Sequence, residues 1–162
     1  MNGRTGLVAT LVAVAIVLPW RPVAAQSSDG LTAGAGAGVY PSGTTFNGVP
    51  ITGLRFGIGI DLPANGTVSG QFQTVLLGLS ALGQPQEINV EGEATSGAVN
   101  ADGSSTFSGT CTIDMGGGTP PLTGVPFTIT STTNSLLLIL GGTTLPTASV
   151  TAGSITIQQN GS

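Results

Sequence analysis

The residues able to do chemistry in this chain are few. Arg55 stands in an alternating stretch, LRFGIGIDL, and Glu87, Glu91 and Glu93 recur at odd positions some thirty residues further on. An arginine facing a row of carboxylates suits an ion pair or the capture of a ligand carboxylate. Two acids on neighbouring outward positions of one strand stand about 7 Å apart and point the same way. A glycosidase pair must instead converge across a sugar. We therefore expect Arg55 with Glu87, Glu91 and Glu93 to form a structural ion pair or, failing that, a ligand contact.

Most other chemistries lack their groups. The chain has three arginines, no lysine and no histidine against seven carboxylates, for a formal net charge of −4. Without histidine there is no Ser-His-Asp or Cys-His nucleophile, and without lysine no Schiff base. Zinc sites need histidine or several cysteines, and Cys111 stands alone. It is expected to be a small buried residue with no intramolecular disulfide to make. Residues 100–103 (NADG) resemble the middle of a calcium loop, but Ala98 and Gly109 occupy its first and twelfth ligand positions, so the segment reads as a turn. Residues 57–62 lack the third glycine of a dinucleotide fingerprint. The expectation is no catalytic, cofactor or metal site, and a protein that is not an enzyme.

Before these residues lies a leader. Arg4 precedes an apolar or small-residue run over 7–18, Pro19 breaks it, and Val23-Ala24-Ala25 provides a small-residue end. This is the pattern of a secretory signal peptide over 1–25, cut between Ala25 and Gln26. A run of 12 residues is short of the roughly 20 needed to span hydrocarbon. Export to the periplasm, the cell surface or the medium follows, with no membrane span in the mature chain. Cleavage leaves Arg55 as the sole base. Nucleic acid, whose backbone is bound through several lysines or arginines, is excluded as a partner.

The elements that must position these residues are strands. Residues 26–38 (QSSDGLTAGAGAG) are small and glycine-rich and read as a flexible arm, since ordering glycine costs backbone entropy. From Val39 the chain alternates apolar and polar residues between Gly, Pro, Asn and Asp, the signature of short antiparallel strands. Strands are expected at 54–62, 68–77, 88–94, 107–115, 125–132, 136–140 and 149–157, with one short helical turn near 76–82. Keeping apolar faces together sets Val90 opposite Ile113 and Gly92 opposite Cys111. The whole reads as an all-β domain over 39–158 with a polar tail over 159–162. It is a single antiparallel barrel or sandwich of about seven to nine strands, and six aromatic residues in the mature part are too few for the girdles of an outer-membrane barrel.

On function, the composition points to a secreted, non-catalytic structural or interaction protein, with a protein partner or self-association as its means. The alternative is a small β-barrel that binds an apolar small molecule; a carboxylate-only enzyme is the third reading.

Overall fold

The structure is a computed structural model that describes residues 29–160. The signal peptide expected over 1–25 and its expected cleavage between Ala25 and Gln26 lie outside the described residues. Ten strands form one antiparallel sheet, and the described residues contain no helix. They are β1 (Asp29–Val39), β2 (Thr45–Phe46), β3 (Val49–Leu62), β4 (Ser69–Leu79), β5 (Pro85–Val99), β6 (Ser105–Asp114), β7 (Leu122–Ser131), β8 (Ser135–Leu140), β9 (Thr143–Thr144) and β10 (Ala148–Asn160). Ten exceeds the expected count, and the excess lies in β2 and β9, two-residue pieces that leave eight longer strands. The proposed helical turn is absent: β4 continues to Leu79, and residues 80–84 form a turn in which the Gly83 N–H donates to the Ser80 carbonyl at 2.8 Å.

The larger correction concerns the N-terminal arm. Residues 29–39 are not a flexible extension but β1, paired along its length with β10 on one side and with β3 on the other. Because β3 leads through β4, β5, β6, β7 and β8 to β10, the hydrogen-bonded order returns to β1, where it began. Composition misled because glycine-rich sequence is costly to order in isolation. Here the lack of side chains is what lets the strands meet. A Cβ built on Gly36 would fall 2.1 Å from the Ala152 carbonyl oxygen, where β10 bulges at Thr151. At the other end, the polar tail begins later than expected, since β10 runs on to Asn160.

Elsewhere the alternation of the sequence is the alternation of the sheet. Leu54, Phe56, Ile58, Ile60 and Leu62 of β3 are buried, as are Phe72 and Leu76 of β4, Ile88 and Val90 of β5, Phe107 and Ile113 of β6, and Ile129 of β7. Leu136, Leu138 and Leu140 of β8 complete the core. Three phenylalanines meet within it, with ring centroids 6.3 Å apart for Phe72 and Phe107, 6.1 Å for Phe72 and Phe127 and 6.3 Å for Phe107 and Phe127. These are the offset and edge-on contacts that aromatic quadrupoles favour.

The register of β5 against β6 is as expected through its first half, with Val90 opposite Ile113 and Gly92 opposite Cys111. It then slips by one residue between Ala94 and Ser96, so that Gly97 rather than Ser96 meets Phe107. A bulge of this kind re-aims a strand. Beyond it the inner side of β5 crosses to the strands opposite: an added Cβ at Gly97 would lie 2.7 Å from Leu62, and one at Gly30 2.4 Å from Val99. The β5–β6 turn is tight, with the Gly103 N–H donating to the Asn100 carbonyl at 3.0 Å. The Asp102 carboxylate accepts from both the backbone N–H and the hydroxyl of Ser104. Those bonds hold its carboxyl below the usual carboxylate range.

One seam is short. β8 meets β10 only through Leu136 opposite Ala148 and Ser135 opposite Ser149, because β8 is six residues long and β10 thirteen. From Thr151 onward β10 is paired on its β1 side alone among the described residues.

Candidate functional site

The outer face of β3 to β6 holds the candidate residues. Arg55 stands opposite Val75 of β4, and Val75 stands opposite Asn89 of β5. Glu87 is two positions before Asn89 on the same outward side of β5, so Arg55 must reach diagonally over β4 to touch it. It does so: the Arg55 guanidinium donates to the Glu87 carboxylate. Both side chains remain more than half exposed, at 57% and 54%, which puts the pair in the class worth about 0–1 kcal/mol. Arg55→Leu should lower stability by no more than about 1 kcal/mol. Glu87→Gln should cost the same, and the double variant no more than either single one. Urea titrations at low and high salt would measure this, the effect shrinking with salt.

Glu91 and Glu93 do not join that pair. Glu91 lies between Gln73 of β4 and Thr112 of β6, and Glu93 between Gln71 and Thr110. Together with Gly92, Cys111 and Gly124 these residues rim a shallow hollow of about 300 Å³. A second hollow of about 280 Å³ lies between Arg55, Gly57, Gln73, Val75 and Asn89. Gly57 and Gly59, which alternate with Arg55 and Asp61 on the outside of β3, have open space where a side chain would stand. The glutamines and threonines flanking the glutamates are neighbours only through strand register, and their spacing in the sequence carries no sign of it. The two glutamates stand side by side on one outer face of β5, whereas a glycosidase pair faces across a cleft.

Inside the sheet, polar groups are mostly satisfied locally. The Thr74 hydroxyl donates to the Arg55 carbonyl at 2.8 Å, and the Ser105 and Ser131 hydroxyls share a bond at 2.8 Å. The Thr32 and Tyr40 hydroxyls are buried without a partner, and burial raises the Tyr40 pKa far above its usual value. Cys111 is buried and free, and desolvation raises its thiol pKa. A thiol so placed reacts slowly, because the thiolate is the nucleophile. Native protein should therefore resist a disulfide reagent at neutral pH, with one thiol released per chain on unfolding.

A third hollow, of about 480 Å³, lies away from these residues between Tyr40, Pro41, Thr44, Pro50, Ile51 and Thr52. Compared with known protein families, curated proteins and solved structures, the chain matches none.

Proposed function

We propose that this is an exported, non-catalytic structural or interaction protein whose sheet closes into a barrel with a packed interior. Closure is supported by the pairing of β1 with both β10 and β3. The observation that carries the functional reading is the phenylalanine cluster. Phe72, Phe107 and Phe127 converge from three strands into one buried cluster, taking up interior space of the kind in which a lipid- or pigment-carrying barrel keeps its ligand. The ion pair supports the same reading, since Arg55, at the edge of the second hollow, is paired with the exposed Glu87. Export to the periplasm, cell surface or medium rests on the leader over 1–25.

A second reading, a binding module for an apolar small molecule, draws on the hollow beside Tyr40, which Pro41, Pro50 and Ile51 make largely apolar. Native mass spectrometry of protein taken from its own source separates the two. The first reading expects the bare chain or integer multiples of it. A co-purifying small molecule would overturn it in favour of the second.

A further inference from the structure

Strands that border a sheet ordinarily carry a device that keeps other chains away: a charge, a proline or a very short length. β10 has none of these on its open side. Residues 154–160 read SITIQQN, uncharged and without proline, and among the described residues no strand pairs with them on the side away from β1. Ser154, Thr156 and Gln158 are exposed, Ile155 is buried and Ile157 half-buried. The charges of the described chain all lie elsewhere, on β1, β3, β5, β6 and the β5–β6 turn.

We propose that this edge pairs with the same edge of a second copy, antiparallel across a two-fold axis at Thr156. Sheet faces restrict the choice, since a slip of one residue would set inward side chains against outward ones. Of the registers that keep the faces aligned, one centred on Thr156 sets Ile155 opposite Ile157 twice, Ser154 opposite Gln158, and Thr156 opposite itself. Centring on Ile155 would keep one Ile155–Ile155 pair but oppose Ile157 to Gly153, and centring on Ile157 would keep one Ile157–Ile157 pair but oppose Ile155 to Gln159; each leaves the other isoleucine without an apolar partner. The Thr156 register gives the half-buried Ile157 an apolar neighbour and continues the inner face from one copy to the next. The occupant is a second copy because this edge matches itself in face and in charge. Two acidic chains meeting through β5 would oppose their glutamates, whereas β10 brings no carboxylate to the axis. The contact is isologous and small, so it belongs with weak, concentration-dependent associations. It stands whether or not a small molecule occupies the hollow beside Tyr40.

Thr156→Cys tests the axis, because each copy would then present a thiol to its mate, while Thr110→Cys puts a thiol on the outer face of β6 as the control. With oxidised glutathione, Thr156→Cys should give a disulfide-linked dimer several-fold faster than Thr110→Cys. Thr156→Glu, which opposes two carboxylates at the axis, should move sedimentation equilibrium of the chain towards monomer with its thermal midpoint unchanged. Equal cross-linking of the two cysteine variants, a Thr156→Glu chain that dimerises as well as the parent, or a parent that stays monomeric up to about 1 mM would each overturn the proposal.

Discussion

A chain that begins at Tyr40 should fail to fold: it should show no cooperative thermal transition and should aggregate when concentrated. The truncation removes β1, which pairs with β10 from Asp29 to Val39 and with β3 from Gly30 to Val39. Both of those strands would be left with long bare edges. Such edges template aggregation, and the buried faces of Ile58, Ile60 and Ile155 would lose part of their cover. A milder change at the same place should act in the same direction. Gly36→Val would drive its Cβ into the Ala152 carbonyl, 2.1 Å away, and since that obstacle is backbone, β1 and β10 must separate locally. Circular dichroism melts of both forms would check this. A Tyr40 start that melts like the intact chain would return residues 29–39 to the status of a dispensable arm.

Phe107→Ala should cost about 3–5 kcal/mol, the range for removing a buried phenylalanine. A domain of this kind has about 5–15 kcal/mol to lose, so the variant should sit close to unfolding at room temperature. Phe107 is fully buried and touches both other rings of the central cluster, so the space it leaves is walled by groups already packed on their far sides. Phe107→Leu, which keeps most of the volume, should cost well under half as much. Denaturant titrations report both. A small loss from the alanine variant would mean that the interior collapses easily, and would weaken the case for a packed barrel.

The sequence made the central strands legible because their period is two and their inward residues are large: 54–62 and 107–115 announce which side is buried. It also carried the β5–β6 register as far as Ala94, since only one alignment there keeps Val90, Ile113 and Cys111 together. Beyond Ala94 the alignment slips at a bulge that leaves no mark in composition. β1 escaped for a related reason. Its inward positions, 30 to 38 by twos, are Thr32 and four glycines, so the alternation that identifies a strand is missing, and what orders it is contact with β10 and β3 rather than any propensity of its own. Arg55 could be matched to a row of three glutamates from alternation alone. Which of the three it meets depends on the stagger of β3, β4 and β5, a property of three strands at once. The hollow beside Tyr40 is of the same kind, built where β1 ends and β3 begins.

That β1 lies between β3 and β10 also sets the order in which the molecule can assemble. Its partner residues on β10, the last of the described strands, lie more than a hundred positions away along the chain. Hairpins such as β3–β4 and β5–β6 close over a few residues, but the final zippering of β1 waits for β10, and such non-local pairing makes folding slow. An emerging chain can seat β1 against β3 early, but the other flank of β1 stays bare until β10 has been made.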